Sequence, residues 1–390
     1  MTQVKNSYIA MARKWRPHSF VELTGQEHVA QTLRNAIEGD RLAHAFLFTG
    51  TRGVGKTTSA RILARTLNCK DKADVLVPCG QCQSCKEIDT GSSMDVIEID
   101  GASNNGVDDI RELIEQVKYA SMDGGYRVIV IDEVHMLTPA AFNALLKTLE
   151  EPPQGVLFIF ATTEVNKVPQ TILSRVQKFD FKRIGPGAIK DRLVYICGQE
   201  SIEFEEEALS IISEKADGSM RDALTFFDQV YAFSGKNLTT AATLKILGIP
   251  PEELFFNLMD AIANHNQSSC QQTIGQFLER GLEISDFLNG LLKFQRNLLY
   301  ARIKGIQAVD IGLSDEGFAK LEPLSSQFGH GDLLRLAKMT SDLIFQVKSA
   351  PQPRITLEMG IARMAYLDRT ETLRELMKKL DQADTVKKNS

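Results

Sequence analysis

The residues best suited to chemistry in this sequence form a glycine-rich stretch near its N-terminus. The first eight residues of the stretch match the pattern G-x-x-x-x-G-K-[ST], in which backbone N–H groups converge on nucleotide phosphates. We expect Lys56 to reach the β- and γ-phosphates and the Thr57 hydroxyl to bind Mg²⁺. The predicted cofactor-binding residues of this stretch are Gly50, Thr51, Arg52, Gly53, Val54, Gly55, Lys56, Thr57 and Thr58.

Two adjacent carboxylates follow an apolar run further along the chain. Residues 128–131 read Val-Ile-Val-Ile, and Asp132 and Glu133 come directly after them. A buried strand that ends in two carboxylates can place them beside phosphates held by a glycine-rich loop. We expect Asp132 to hold the Mg²⁺ shell and Glu133 to orient or deprotonate the attacking water. The two motifs together predict hydrolysis of ATP.

Four of the six cysteines lie between these two nucleotide motifs. They are Cys69, Cys79, Cys82 and Cys85, and their spacing contains two overlapping C-x-x-C steps. Four thiolates suit tetrahedral Zn²⁺ and leave no open position, so the predicted metal site is structural rather than catalytic. An Fe–S cluster and four free thiols are the alternatives. We expect the isolated Cys197 and Cys270 to be core residues.

Three more polar residues stand where they could act on a bound nucleotide. Thr163 follows the apolar run 156–160, and a hydroxyl at such a strand end could sense the γ-phosphate or position water. Arg175 ends a short helical stretch and Arg221 begins another; either guanidinium could stabilise charge on a transferring phosphoryl group. Ordinary strand-end polarity and surface arginines are the alternatives at these positions.

The pattern of apolar residues predicts the elements that must hold these groups. Apolar runs predict buried strands, and helix-sized stretches between the runs indicate a parallel sheet with crossover helices, an α/β fold. After Gly185-Pro186-Gly187 the strand signals vanish, and helical patterns predict a lid and then an all-α domain. The predicted strands are 45–49, 96–99, 128–131 and 156–160, and the crossovers are 57–67, 107–120 and 139–149. The predicted lid helices are 189–200, 205–216 and 220–234.

Length and composition are consistent with a multidomain protein of the cytoplasm. The chain has 390 residues, and its net charge of −5 shows no overall nucleic-acid-binding character. We find neither a secretory signal nor an apolar stretch of membrane-spanning length, so we expect no membrane partner. The predicted domains are 1–184 with a zinc-binding insert at 69–85, a lid at 185–248, a helical domain at 249–370 and a polar tail at 371–390.

Taken together, these motifs resemble the γ/τ subunit family of bacterial DNA polymerase III, the AAA+ ATPase motor of the sliding-clamp loader. The resemblance runs over about the first 245 residues, and the helical remainder fits the family's collar domain. The segments that carry it are Arg13-Lys14-Trp15-Arg16-Pro17, Gly25-Gln26, residues 50–57, the four cysteines, Asp132-Glu133-Val134-His135, Ala161-Thr162-Thr163, Ser174-Arg175 and residues 218–222.

The resemblance implies roles that spacing alone does not assign. Arg16 and Pro17 would line the adenine pocket. Thr163 would be the first nucleotide sensor, and Arg221 would be the second, reaching from the lid. Arg175 would be an arginine finger that acts in trans on ATP bound to a neighbouring subunit. The family often has Ser-Arg-Cys at this point, whereas Val176 follows Arg175 here.

The resemblance also implies a function and partners. ATP binding would open a sliding clamp, and primed template DNA would trigger hydrolysis and release of the clamp. The partners would be the other clamp-loader subunits in a pentamer held by the collar, the clamp, and DNA contacted without sequence preference. The chain would be an ATPase of the polymerase III holoenzyme without a polymerase active site of its own. The family's longer form continues beyond the collar to helicase- and polymerase-binding domains.

Two other functions and one DNA-binding feature complete the sequence-based hypotheses. A zinc-stabilised scaffold that no longer hydrolyses ATP is disfavoured by the complete set of Lys56, Thr57, Asp132 and Glu133. A branch-migration helicase is disfavoured by the four-cysteine insert. The helix predicted from residue 107 could grip DNA phosphates, with Asn105 as its N-cap, Asp108 three residues after the cap and Arg111 one turn in. A capped surface helix is the alternative there.

Overall fold

A computed structural model of the chain describes residues 10–72, 74–117, 125–303, 305–308 and 315–368, without the side chain of residue 316. The chain divides into two compact units, 1–243 and 244–390. The predicted boundaries at 184, 248 and 370 stay predictions, and the predicted tail lies outside the described residues. Within the described residues, no helix combines the length and the apolar character needed to cross a membrane.

The first unit is built around a five-stranded parallel sheet with the order β2-β3-β4-β1-β5. All four predicted strands are present, and residues 177–180 add a fifth that the apolar pattern did not predict. Only Phe179 of that strand is buried, because β5 lies at the sheet edge and its other residues are polar. The strands are β1 (Ala45–Thr49), β2 (Val96–Asp100), β3 (Arg127–Asp132), β4 (Val156–Thr162) and β5 (Gln177–Asp180).

Helices cover both faces of this sheet. Alternate residues of a strand point to opposite faces, so Phe46 and Phe48 pack in one apolar cluster while Ala45 and Leu47 pack in another. The first cluster includes residues of the helices at 27–38 and 56–68, and the second includes residues of the helices at 107–117 and 139–150. The helices up to this point are α1 (Met11–Lys14), α2 (Glu27–Glu38), α3 (Lys56–Asn68), α4 (Gln83–Thr90), α5 (Val107–Val117), α6 (Pro139–Glu150) and α7 (Gln170–Leu173), with 3₁₀ turns at Phe20–Glu22, Val134–Met136 and Val165–Lys167.

The strand order brings the chemical motifs to one edge of the sheet. The carboxyl ends of parallel strands meet at the same edge, and ligands of such sheets bind there. The glycine-rich loop follows β1, Asp132 ends β3 with Glu133 directly after it, and β4 lies between these two strands. Thr162 at the end of β4 pairs in register with Thr49 at the end of β1. Thr163 therefore leaves the sheet between the two motifs.

The lid region is helical, as predicted, but it also contains two short strands. Residues 203–204 pair in parallel with residues 237–238, which corrects the expectation that strand structure ends after residue 187. Two-residue strands produce no detectable sequence period, so the pattern could not reveal them. The elements are α8 (Pro186–Glu200), β6 (Glu203–Phe204), α9 (Glu206–Lys215), α10 (Met220–Ser234), β7 (Asn237–Leu238) and α11 (Thr240–Ile246), which ends in the second unit.

The second unit is helical in its described residues and has its own apolar core. Residues 284–301 form one helix of this core, and its buried Gln295 accepts a hydrogen bond from the buried Thr340 hydroxyl at 2.9 Å. This bond satisfies an amide oxygen that would otherwise be costly to bury. The helices are α12 (Glu252–Ala263), α13 (Gln267–Glu279), α14 (Ile284–Ala301), α15 (Asp315–Ser326), α16 (His330–Ser349) and α17 (Pro353–Ala365).

Candidate functional site

The glycine-rich loop turns directly into α3. Gly55 flanks the helix N-terminus with φ at 104°, a conformation that favours glycine, and Lys56 is the first helical residue. The buried Lys56 side chain donates hydrogen bonds from Nζ to the carbonyl oxygens of Gly50 at 2.9 Å and Thr51 at 2.8 Å. Burial lowers the Lys56 pKa, and the nearby carboxylates of residues 133 and 132 oppose that shift. The lysine is thus a partly desolvated cation inside the loop.

The lid helix α10 begins against the same loop. The Arg221 N–H donates to the Gly53 carbonyl at 3.4 Å, and Ser219 caps the helix by accepting from the Asp222 N–H at 3.2 Å. A Cβ on Gly53 would come within 3.2 Å of the Arg221 Cβ and would collide with the Ser219 hydroxyl. Glycine at 53, with φ at 78°, therefore permits the close approach that brings Arg221 to the loop.

The carboxylate at the end of β3 lies beside the Thr57 hydroxyl. Thr57 Oγ1 donates to Asp132 Oδ2 at 2.7 Å, and Asp132 Oδ1 accepts from the Glu133 N–H at 2.9 Å. A hydroxyl and a carboxylate oxygen are ligands that suit Mg²⁺. The geometry therefore brings the two predicted Mg²⁺ residues together and fixes the orientation of the carboxylate.

The next carboxylate, Glu133, has a strained backbone conformation and accepts hydrogen bonds. Glu133 has φ at 45°, a left-handed conformation that is uncommon for residues other than glycine and that concentrates at functional sites. Its Oε2 accepts from the Thr163 hydroxyl at 3.1 Å and from the Thr163 N–H at 3.3 Å. Thr163 thus contacts the candidate base directly.

A histidine that the sequence reasoning left without a role lies beside this pair. His135 Nδ1 is 3.3 Å from Glu133 Oε2 and 3.0 Å from Thr162 Oγ1, and Nε2 is 3.5 Å from Glu164 Oε1. The imidazole is only 6% exposed, so these groups fix its position. Its signal in the sequence is its place two residues after Glu133, in the loop that follows a buried strand.

A cavity of about 790 Å³ joins most of the predicted nucleotide-binding residues. Arg16 and Pro17 line it, and burial lowers the Arg16 pKa, with the nearby cation of Arg61 adding to the shift. Four of the predicted nucleotide-site residues do not line the cavity: Gly50, Thr51, Thr163 and Arg175. The first three of them contact residues that line it. The other predicted residues in its lining are Arg52, Gly53, Val54, Gly55, Lys56, Thr57, Thr58, Asp132, Glu133 and Arg221.

Several lining residues were not predicted as site residues, because only the tertiary fold brings them to the cavity. Trp15 and Arg192 belong to this group, and the guanidinium of Arg192 lies 5.9 Å from the Trp15 ring. Sequence spacing gives no signal for such a contact between α8 and a residue near the N-terminus. The remaining unpredicted polar residues of the wall include His18, Arg61, Arg65 and Asp89.

The predicted arginine finger lies apart from this cavity. Arg175 Nη2 pairs with Glu150 Oε1 at 2.6 Å, and Nη1 donates to the Thr171 carbonyl at 2.8 Å. The side chain is still about one-third exposed, at 32%. Arg175 is therefore partly exposed and does not line the cavity of its own chain.

The four cysteines between the motifs form a compact cluster. The Sγ atoms of Cys69, Cys79, Cys82 and Cys85 all lie within 4.8 Å of one another. Tetrahedral zinc thiolates have sulfur atoms roughly 3.8 Å apart, from Zn–S bonds of about 2.3 Å, so four sulfur atoms this near to one another are a suitable donor set for Zn²⁺. Backbone N–H groups of Gln81 and Cys82 donate to Cys79 Sγ at 3.4 and 3.3 Å and lower the Cys79 pKa to about 6.

The candidate DNA-contacting helix begins at residue 107, as predicted, but its cap differs from the prediction. Helix α5 starts at Val107, so Gly106 rather than Asn105 precedes it, and the Gly106 N–H donates to Asp109 Oδ2 at 3.1 Å. Asp109 thereby takes the place predicted for Asp108 in the cap. Arg111 pairs with Asp108 at 3.0 Å and stays 67% exposed. The error is a one-residue shift in the position of the cap, from Asn105 to Gly106.

Comparison with protein families gives matches along almost the whole chain. Residues 25–185 match a family described as DNA polymerase III, delta subunit. Residues 188–236 match the ATPase lid domain of the DNA polymerase III clamp loader subunit. Residues 238–380 match domain III of the DNA polymerase III subunits gamma and tau.

Curated relatives give the same result at substantial identity. The tau subunit of DNA polymerase III from Bacillus subtilis is 40% identical over 385 residues, covering 97% of this chain and 68% of the relative. Tau from Salmonella typhimurium is 39% identical, and the match covers 92% of this chain and 55% of the relative. The gamma subunit from Buchnera aphidicola is 40% identical, and the match covers 74% of this chain and 80% of the relative. The chain thus spans about half to four-fifths of the length of these relatives.

Among solved structures, the Holliday junction branch migration motor RuvB from Thermotoga maritima aligns with 80% of this chain and 90% of its own. The two share 18% sequence identity, with a TM-score of 0.46.

Proposed function

This chain belongs to the γ/τ subunit family of bacterial DNA polymerase III, and we propose that it is an ATP-hydrolysing motor subunit of the clamp loader. The observation that carries the proposal is the convergence of Lys56, Thr57, Asp132 and Glu133 at one sheet edge beside a cavity of about 790 Å³. A subunit that had lost hydrolysis would not need the full set. The AAA+ domain, the lid and the helical domain would act together in this motor.

We propose that the loop and its carboxylates bind ATP with Mg²⁺. Lys56 would reach the β- and γ-phosphates, because its ammonium group already lies within the loop. The metal, when bound, supplies positive charge that stabilises the phosphates, and Thr57 with Asp132 would hold it. Arg16 and Pro17 would line the adenine pocket, and Arg221 would contact the nucleotide from the lid.

Glu133 would orient and deprotonate the attacking water, and Thr163 would link that carboxylate to the state of the γ-phosphate. The two hydrogen bonds that Thr163 donates to Glu133 support this role, since a shift of either group must move the other. Arg175 would stabilise the transition state in a neighbouring subunit. Its position away from its own cavity and its partial exposure favour action in trans.

We infer that Cys69, Cys79, Cys82 and Cys85 hold a structural Zn²⁺ ion. The closeness of the four sulfur atoms and the N–H···S hydrogen bonds to Cys79 support this assignment. A site with four cysteine ligands has no open coordination position, so the metal would stabilise the fold and take no part in hydrolysis.

The proposed partners are the other clamp-loader subunits, the sliding clamp and primed template DNA, in the cytoplasm. ATP binding would open the clamp, and DNA would trigger hydrolysis. The test is the ATPase rate of the chain with its cognate partner subunits, measured with and without clamp and primed DNA. Strong stimulation by clamp and DNA together is expected. ATP binding without any stimulated turnover would instead favour the non-hydrolysing scaffold.

A further inference from the structure

The cysteine-bearing insert packs against the segment that lines one part of the cavity. We call residues 69–72 and 74–91 the knuckle and residues 16–20 the N-terminal segment. The Phe20 N–H donates to the Leu76 carbonyl at 3.4 Å, and the buried Phe20 and Leu76 side chains belong to one apolar cluster. His18 Nδ1 lies 3.7 Å from Asp89 Oδ2. The knuckle therefore contacts the N-terminal segment at two of its residues, His18 and Phe20.

A buried cation joins these two parts to the helix that follows the glycine-rich loop. Arg65 of α3 has a side chain only 3% exposed; its Nη1 donates to Asp89 Oδ1 at 2.5 Å and lies 3.0 Å from His18 Nδ1. A charge so far removed from water depends strongly on its partner, because an unpaired buried charge is costly. Asp89 is that partner, so its position influences Arg65 and His18 together.

The same aspartate is one helical turn from the cysteine cluster. Asp89 lies on α4, four residues after the fully buried Cys85, and Cys82 immediately precedes the helix. Two ligands of the proposed metal therefore lie at the beginning of α4. A shift of these ligands would move the helix, and Asp89 would move with it. His18, Arg65 and Asp89 all line the cavity that Arg16 and Pro17 also line.

We propose that Asp89, Arg65 and His18 are positioning residues that connect the cysteine cluster to the wall of the cavity near Arg16 and Pro17. Through them, the cysteine cluster sets how strongly that wall binds the base of ATP. The proposal rests on the proposed function, in which the base lies near Arg16 and Pro17. The physical reason is preorganisation: a wall already held in its binding conformation has less conformational freedom to lose when the nucleotide binds. Without the metal or the Asp89 charge, the N-terminal segment would have to be ordered by the ligand.

The test compares a ligand that has a base with one that lacks it. Isothermal calorimetry on the metal-loaded chain measures Kd for Mg-ATP and for Mg-tripolyphosphate in the unmodified chain, Asp89→Asn and Glu87→Gln. Glu87→Gln is the matched control, because Glu87 lies on the same helix and accepts a hydrogen bond from Gln83 of that helix. Asp89→Asn should raise the Kd for ATP about tenfold and leave that for tripolyphosphate nearly unchanged. The control should change neither.

His18→Ala provides a second variant that should fold normally, since the His18 side chain is 61% exposed. It should also weaken ATP selectively, by a smaller factor. Equal weakening of both ligands by Asp89→Asn would overturn the proposal, since it would indicate damage to the loop and α3. An unchanged ATP affinity in both variants would overturn it too. Failure of the unmodified chain to bind ATP would overturn the proposed function and this proposal together.

Removal of the metal tests the link to the cysteines. Extraction with a mercurial thiol reagent and a chelator should raise the Kd for ATP in the unmodified chain by a similar factor. The same treatment should have little further effect on Asp89→Asn, because two changes that act through one element are not additive. Fully additive effects would show that the knuckle and Asp89 act independently, which contradicts the proposal.

Discussion

Thr163 donates hydrogen bonds to Glu133 from its hydroxyl and from its backbone N–H, at 3.1 and 3.3 Å. The two residues leave neighbouring strands of one sheet, and Glu133 adopts a left-handed backbone conformation. A polar residue after β4 therefore positions the candidate base after β3. Thr163 is therefore a residue in direct contact with the candidate base, and its polarity is more than that of an ordinary strand end.

Thr163→Val should lower the ATPase kcat about tenfold while Kd for ATP changes little. Valine keeps the shape of threonine and the backbone N–H but removes the hydroxyl, and a hydrogen bond to a charged group has about this worth. The measurement is steady-state ATPase together with calorimetric ATP binding. Glu133→Gln serves as the reference and should lower kcat about a hundredfold or more with binding retained. A Thr163→Val enzyme with unchanged kcat would contradict the assignment.

Lys56→Ala should weaken ATP binding at least about tenfold. Its ammonium group lies in the loop, partly desolvated, so the alanine variant loses charge-assisted hydrogen bonds to phosphate. Titration calorimetry with Mg-ATP checks this expectation. Lys70→Ala, at an exposed position just after α3, is the control and should bind ATP like the unmodified chain. Unchanged binding in Lys56→Ala would rule out the proposed phosphate contact.

The proposed sites differ in how much of them the sequence could predict. Lys56, Thr57, Asp132 and Glu133 occupy short motifs at strand ends, and a parallel sheet brings such ends together, so local patterns were sufficient. The cysteine spacing likewise indicated one compact cluster. His135, Arg65 and Asp89 acquire their contacts only through tertiary packing, and β5 has too few apolar residues to show a strand pattern. Contacts between distant segments leave no period in a single sequence.

Cys82→Ser should reduce the bound zinc and lower the melting temperature of the chain. A structural metal binds the folded state, so its binding free energy adds to the stability of the fold. Metal content by mass spectrometry and thermal unfolding followed by circular dichroism are the measurements. Cys270→Ser, outside the cluster, should leave zinc content unchanged. A Cys82→Ser chain with full zinc content would exclude Cys82 as a ligand.

The free energy of unfolding should fall as pH rises from about 9 towards 11, in part because of two core thiols. Burial raises the pKa of Cys197 and of Cys270 to about 11, from an ordinary 9.0. Between these values the unfolded chain releases the protons while the folded chain keeps them, so rising pH favours unfolding. Urea denaturation across this range should show a smaller loss in Cys197→Ala than in the unmodified chain. An identical slope would contradict the contribution of that thiol.

Arg175→Ala should leave ATP binding by its own chain unchanged and lower the ATPase rate of the assembled complex about a thousandfold. The reason is that Arg175 pairs with Glu150, away from the cavity of its own chain, yet stays partly exposed. Glu150→Gln is the decisive control, because it removes the charge of the partner and keeps the arginine. If Arg175 only stabilised the local structure through Glu150, both variants would lose activity alike. Loss confined to Arg175→Ala, restored by mixing in subunits that carry the arginine, would establish its action on a neighbouring site.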